Sequence, residues 1–523
     1  MPILPWARRP LVWCFVLGAL TAGGYLFAEI YLLDGGVGFP LDDSWIHLTF
    51  ARSLAAGEGL SYQGGRLVTG STAPLWTALL SLGFVPPGSP LLWAKALGVA
   101  CYLLLLPATY RLGRELGLGR GFAATATVVT ALTSWLVWAA LSGMEIPLFS
   151  LLSVVGTTLH LRERRRAGAL PVSAVVLALG ALSRPEGLLL LALAGADRVI
   201  ALFREPVAER AARLRTFGVW LLASAIVLLP TMIFYRVVGE SFVPTTFSAK
   251  TAGWQRWLPS TRYLQVVVEI LVLPQPVTTL VALGGAFLLL RRGLVGTSRQ
   301  LLPALWLLGL PLAYSLISPV GPGVVVGNFG RYFFPLFPVV AVLGLVGLDH
   351  LSGESGRRAL TTRAGLGLAA AILVCLPTVF DWTAGVGRYT RCVLNVEDGD
   401  VAMARWLDGR LPEEAVLAVN DIGAIGYLLP NPLLDLAGIA NPEIRRYFDA
   451  AEAAGEHWRQ GVRRFLEERR PDYLVIFPEW FPELTADARF RELRRIEIRG
   501  NMALGSDVLS LYSTPWTRYP LDR

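Results

Sequence analysis

The sequence predicts an α-helical polytopic membrane protein of about 11 transmembrane helices, followed by a small extracytoplasmic α/β domain. Three observations predict it. Of 523 residues, 54% are hydrophobic and only 16% are charged, where a soluble domain carries about a quarter charged. The mean hydropathy is +0.52. The apolar residues gather in separated runs close to the roughly 20 residues needed to cross a bilayer, and these runs stop near residue 382.

The candidate spans are 10–33, 91–110, 121–141, 145–161, 169–184, 187–203, 217–236, 265–290, 300–318, 333–350 and 364–382. The first is too long for a signal-peptide core and no cleavage site follows it, so it reads as an uncleaved span. The net charge of +8 is carried almost wholly by arginine, Lys95 and Lys250 being the only lysines. Those arginines lie in short clusters between spans, not on one face with interleaved aromatics, which argues against nucleic-acid binding. With Arg8 and Arg9 placed in the cytoplasm, the clusters at Arg111–Arg120, Arg162–Arg166, Arg204–Arg215, Arg291–Arg299 and Arg357–Arg363 fall on the same side.

Two segments need separate treatment. "STAPLWTALLSLGFVPPG", 71–88, is apolar for only about a dozen residues, which suits a helix at the outer interface better than a span. Ser71 or Thr72 would cap it, with Pro74 in its first turn. The pair 169–184 and 187–203 is hinged at "SRPEG". Outside the membrane then lie a first loop at 34–90, "SGMEIP" at 142–147, "SRPEG" at 183–187, loops at 237–264 and 319–332, and the tail from 383. The expected domains are therefore 1–382 and 383–523.

In the tail, "AVLAV" (415–419), "LLDL" (433–436), "YLVIF" (473–477) and "VLSLY" (508–512) read as short strands, with helical segments near 400–410 and 456–470. Cys14, Cys101 and Cys375 sit in apolar runs and Cys392 stands alone outside, so no disulfide framework is implied. No Walker A sequence or dinucleotide fingerprint occurs.

The chemistry concentrates in "GFPLDDSWIHLTFARSLAAGEGLSY", 38–62, where Asp42 and Asp43 precede a helix expected from Ser44 to Ala55 and ended by Gly57. A helix cap accounts for one aspartate but not for the second. Adjacent carboxylates can share a proton, bind a divalent cation or divide base and orienting roles. His47 lies one turn on from Asp43 and Arg52 further along the same helix. Outer loops add Glu145, Arg184, Glu186, Lys250 and Arg331, each close to a span end. Gathered on one side with the aspartates, they would line a cavity suited to a phosphate-bearing substrate. Asp421, just after a tail strand, reads either as the cap of a short helix or as an acceptor-binding group.

The ordered motifs "LDDSWIHLTFARSLAAGEGLSYQGGRLVTGSTAPLW", "SGMEIPLF", "SRPEG", "VPTTFSAK", "GRYFFPLFP" and "NDIGAIGYLLPNPLLDLAGI" resemble bacterial integral-membrane glycosyltransferases of the GT-C superfamily. The nearest likeness is to the branch of terminal arabinofuranosyltransferases and their uncharacterised relatives. The resemblance implies a polyprenyl-phosphate-linked sugar as donor, a cell-envelope glycan, lipid or protein as acceptor, and a catalytic aspartate at Asp42 or Asp43. It also implies residence in the bacterial plasma membrane, with the tail outside. Substrate contacts would fall to His47, Arg52, Glu145, Arg184, Glu186, Lys250, Arg331 and Asp421, and a divalent cation (Mg or Mn) is compatible with the aspartate pair. Thr69 and Thr245 depart from that branch at positions where acidic and asparagine residues are expected, which leaves sugar and acceptor open. The competing function is a transporter or flippase of a lipid-linked sugar; the absence of an internal repeat in the sequence and the position of the ionisable residues in outer loops count against it. A non-catalytic scaffold ranks last.

Overall fold

The computed structural model describes residues 10–165, 169–204, 207–242, 244, 260–295, 300–317, 330–353 and 360–521. Two compact units are present. The first comprises Met1–Ala28, Lys95–Ile233 and Lys250–Gly387; the second comprises Glu29–Ala94, Phe234–Ala249 and Arg388–Arg523. The first outer loop thus groups with the tail.

A helix stands on each apolar run: Pro10–Leu32, Pro90–Glu115, Arg120–Leu132 with Ser134–Leu141, Ile146–Arg165, Val172–Ser183, Glu186–Arg204, Val207–Gly239, Pro276–Val295, Leu302–Ile317, Phe337–Gly353 and Leu360–Val396. Among the described residues, five helices are long and apolar enough to cross a membrane, or six when the pair bent by 56° after Leu132 counts as one. Val172–Ser183 and Leu302–Ile317 are apolar but short, so eleven full-length spans are not found among the described residues. The run expected at 265–290 is also not one helix. It is Thr261–Val267, a π turn at Val268–Val272, a break, and then Pro276–Val295. Pro274 and Pro276 remove two N–H donors and push the residues before them out of helical geometry.

In the first unit, helix Pro276–Val295 meets Phe337–Gly353 backbone to backbone. A side chain at Gly285 would collide with the carbonyl of Leu343, the close approach that small residues permit between membrane helices. Aromatic rings fill the remaining space, with Trp135 stacked on Phe334 at 5.1 Å and Phe149 edge-on to Trp306 at 6.2 Å.

The second unit is built on a five-stranded sheet, in which β1 is Leu417–Val419, β2 Leu433–Asp435, β3 Tyr473–Ile476, β4 Arg491–Glu497 and β5 Val508–Ser513. The order is β2-β1-β3-β5-β4, with β2, β1 and β3 parallel and β5 and β4 antiparallel. β1 and β3 are buried along their whole length, as central parallel strands require. Val462, Phe465 and Leu466 of helix Trp458–Arg469 join Leu474 and Ile476 of β3 in one core, which also takes in Ile444 of helix Ile444–Ala453. Strand β4, "RELRRIE", escapes the sequence reading because five of its seven residues are charged, a composition that protects an exposed sheet edge. The expected loop helices are present as Asp43–Ala55 and as Pro74–Ser81 continued by a 3-10 turn to Phe84. Gly57, with φ +81, ends the first. The second starts without the expected side-chain cap; Ser71 Oγ instead pairs with Thr77 Oγ1 at 3.1 Å.

Candidate active site

The sequence places an interfacial helix at Ser44 to Ala55, and the structure has it as Asp43–Ala55. Its residues Ser44 to Ala51 are instead all buried, which marks an interior helix. Trp45 packs against Phe39 and Tyr427 with ring centres 5.2 Å from each. Arg52 donates to the Tyr427 carbonyl at 2.9 Å and the Gly426 carbonyl at 3.3 Å. Tyr62 donates to the Ile422 carbonyl at 2.6 Å. The loop helix is therefore clasped to the tail segment 420–428.

The adjacent aspartates have different surroundings. Asp42 occupies the N-cap position of its own helix but makes no side-chain cap bond there. Its carboxylate instead accepts from the amides of Gly423 at 2.6 Å and Ala424 at 2.7 Å, the first residues of helix Gly423–Leu428. That geometry requires glycine: a β-carbon at 423 would lie 2.6 Å from the Asp42 carboxyl carbon. Asp42 is 8% exposed, whereas Asp43 is half-buried. Burial pushes the Asp42 carboxyl up to about 7 against the pull of the two amides, and Asp43 adds to the rise.

Asp421 is not the cap of helix Gly423–Leu428; the N-cap is Ile422 and the amide bonds come from Asp42. The Asp421 carboxylate accepts from Asn420 Nδ2 at 3.3 Å, while Asn420 Oδ1 is bound to the Phe477 amide at 3.1 Å. It follows the C-terminal end of β1, the edge at which open parallel sheets place their ligands. Burial holds its carboxyl well above the usual range, with Asp42 and Asp43 raising it further.

A fourth carboxylate, absent from the sequence reading, joins them. Asp400 is fully buried in the π turn Glu397–Val401, and among the described residues neither of its oxygens has a hydrogen-bond partner. Burial, then the charges of Asp42 and Asp421, push it well above its ordinary value. The signal available in the sequence was an acidic run, "EDGD", just before an amphipathic helix, and a π turn inside a helix often marks a functional position. His47 is buried beside the pair on the helix. On the tail side, a cavity of about 610 Å³ opens against the same helix, bordered by Arg52, Tyr62, Gln63, Arg66 and Asn441.

The other expected site residues belong to the first unit. Arg184 is bonded to Glu145 and, at 2.8 Å, to Glu186. Tyr314 donates to the same Glu186 oxygen at 2.8 Å. The guanidinium lies over the Tyr332 ring, 5.2 Å from its centre, and Arg331 is buried with its own guanidinium 5.7 Å from that ring. Two carboxylates therefore compensate Arg184. Lys250 and Thr245 fall outside the described residues. Among the described residues, no three His, Cys, Asp or Glu side chains are placed to hold a metal ion.

A family model described as a domain of unknown function, DUF8728, matches residues 391–515. No curated protein matches the chain. Solved structures do. ArnT from Cupriavidus metallidurans in the apo state is similar with a TM-score of 0.59 at 13% identity, over 94% of this chain and 97% of that one. ArnT bound to undecaprenyl phosphate gives 0.54 at 12% identity, over 95% and 97%. The oligosaccharyltransferase of Archaeoglobus fulgidus gives 0.57 at 14% identity, over 99% and 76%. The chain thus shares its fold with ArnT and with the Archaeoglobus fulgidus oligosaccharyltransferase.

Proposed function

We propose that the protein transfers a sugar from a polyprenyl-phosphate carrier to an envelope glycan, lipid or protein acceptor on the outer face of the bacterial plasma membrane. The observation that carries this reading is the Asp42–Asp43 pair, one member locked by backbone amides and the other half-exposed beside it. Outside the cytoplasm there is no pool of nucleotide sugars, so an activated sugar has to arrive on a lipid. ArnT, which shares the fold, binds undecaprenyl phosphate.

Asp43 is the group we assign to the acceptor hydroxyl. As that oxygen attacks the anomeric carbon, its proton passes to the Asp43 carboxylate and the bond from the anomeric carbon to the phosphate oxygen breaks. Attack from the face opposite the phosphate inverts the centre. Asp42 holds the start of the helix fixed, so Asp43 is aimed before substrate arrives. Arg184, already balanced by two carboxylates, is suited to hold its surroundings rigid. The described residues do not make a three-ligand metal site; a divalent cation, where one binds, would be held by Asp42 and Asp43.

The test is transfer of radiolabelled sugar from polyprenyl-phosphate donors by the purified full chain, with Asp43→Asn beside wild type. Loss of transfer in a folded variant supports the assignment, and transfer at the wild-type rate overturns it. If no donor gives transfer while labelled lipid crosses proteoliposomes, the transporter reading takes its place.

A further inference from the structure

The cavity of about 610 Å³ against helix Asp43–Ala55 takes no part in the chemistry described so far, yet it has the size of a ligand site. The sequence builds it at the far end of the helix that starts with the aspartates. Gly57, with φ +81, ends that helix, and the chain folds back so that the Glu58 amide donates to the Ser53 carbonyl at 2.9 Å. Ser53, Tyr62 and Leu433 are buried in the cavity wall. Glu58, Arg66 and Pro432 are exposed at its rim, so a molecule can enter from solvent.

The tail side of the cavity is held in place by its own hydrogen bonds. Gln63 accepts from the Leu433 amide at 3.0 Å and donates to the Asn431 carbonyl at 3.2 Å. Asn441 accepts from the Asp435 amide at 2.8 Å. The outward amides of β2 are thereby occupied, which argues against an extended peptide added to the sheet as a further strand.

Both signs of charge stand around the mouth. Arg66 donates to Glu443 at 3.2 and 3.3 Å, one bond to each oxygen. Arg52, which donates to the Tyr427 and Gly426 carbonyls, shares the wall with the Glu58 carboxylate. Mixed signs do not select a phosphate. They offer donors and acceptors side by side, which suits hydroxyl groups, each of them both donor and acceptor. Leu429, Pro430, Pro432 and Leu433 supply apolar area for the C–H faces of sugar rings.

Position then decides which substrate this is. Ser53 lies ten residues past Asp43 on one helix, about 15 Å at 1.5 Å per residue. A molecule seated in the cavity that also presents a hydroxyl to Asp43 must span several sugar rings. We infer that the cavity binds the inner residues of an uncharged oligosaccharide, and that this glycan, rather than a lipid or a protein, is the acceptor. The inference rests on the transfer reaction proposed above and narrows its acceptor.

The test is fluorescence anisotropy with the purified full chain and end-labelled hexasaccharides of arabinan, galactan and mannan, competed by the unlabelled hexamers and by the monosaccharides. At least one hexamer should bind, displaced by its own unlabelled form and not by its monosaccharide. Ala440→Trp, which fills the cavity from its wall, should weaken that binding about tenfold or more. Glu58→Ala, at an exposed position, should weaken it roughly fivefold. Asp43→Asn should bind as wild type does, and in transfer assays Ala440→Trp should raise KM for the hexamer with kcat unchanged. No bound hexamer, a monosaccharide that competes as well as its hexamer, or wild-type binding by Ala440→Trp overturns the inference. Hexamer binding that Ala440→Trp weakens, with no transfer from any donor, overturns the transfer reaction and the acceptor role but keeps the glycan site.

Discussion

Both units bury ionisable groups, but they do so in opposite ways. Around Arg184, the cation meets Glu145 and Glu186, and the Tyr314 hydroxyl donates to Glu186, so charge is compensated where it lies. Around Asp42, the carboxyls of Asp400 and Asp421 come together with its own, and Asp42 and Asp421 accept from backbone amides and one side-chain amide. Compensated charge makes a rigid scaffold; uncompensated carboxylates keep their affinity for a proton. The difference is one of charge balance: the Arg184 network is compensated, and the Asp42 cluster holds carboxyls raised toward their protonated form.

The sharpest way to break this contrast is Asp43→Asn. Removing a general base should lower transfer by about 10²–10⁴-fold, with the thermal unfolding midpoint in detergent unchanged. Arg184→Met should do the reverse and act on the fold: it leaves Glu145 and Glu186 buried without their cation, a loss of about 3–5 kcal/mol visible as a lower unfolding midpoint. A midpoint equal to wild type would mean that the network is not structural. Asp42→Asn turns an NH₂ group toward an amide that already donates. It should cost roughly 1–3 kcal/mol in denaturant unfolding of the second unit, and slow transfer less than Asp43→Asn does.

The smallest effect is on pH. Asp42 at about 7 lies above the ~3.9 of an exposed aspartate, so folding favours its protonated form. That contribution is complete below about pH 4 and disappears as pH rises through about 7. Asp400 and Asp421 are shifted in the same direction. The second unit should therefore unfold at lower denaturant at pH 8 than at pH 5, followed by tryptophan fluorescence, and Asp400→Asn should narrow the gap. A gap that is absent or reversed would show that the cluster carries compensating charge.

Much of the fold was legible because apolar runs and alternation are local signals. Helices stand where the runs lie, and the four expected strands are present with ends shifted by a residue or two. What escaped was set by context. The break after Val272 was written in Pro274 and Pro276, but the surrounding apolarity masked it. Strand β4 has no apolar alternation, because an edge strand needs none. At the site, the pairing of Asp42 and Asp43 could be read directly, but not their different roles. Those depend on Gly423 and Ala424, whose amides carry no sequence signature. Asp400 and Asp421 could not be joined to Asp42 because they sit more than 350 residues along the chain.

The bond from Asp42 to Gly423 spans 381 positions, and that interval is also a delay. At about 5–20 residues per second, synthesis needs roughly 20–80 s to make the second partner after the first. Throughout that time helix Asp43–Ala55, with Trp45, Leu48 and Phe50 destined for burial, has none of its tail contacts. The nascent loop must rest its apolar surface on the bilayer or on a chaperone, and only when the last quarter of the chain is out does Asp42 acquire the amides that hold it.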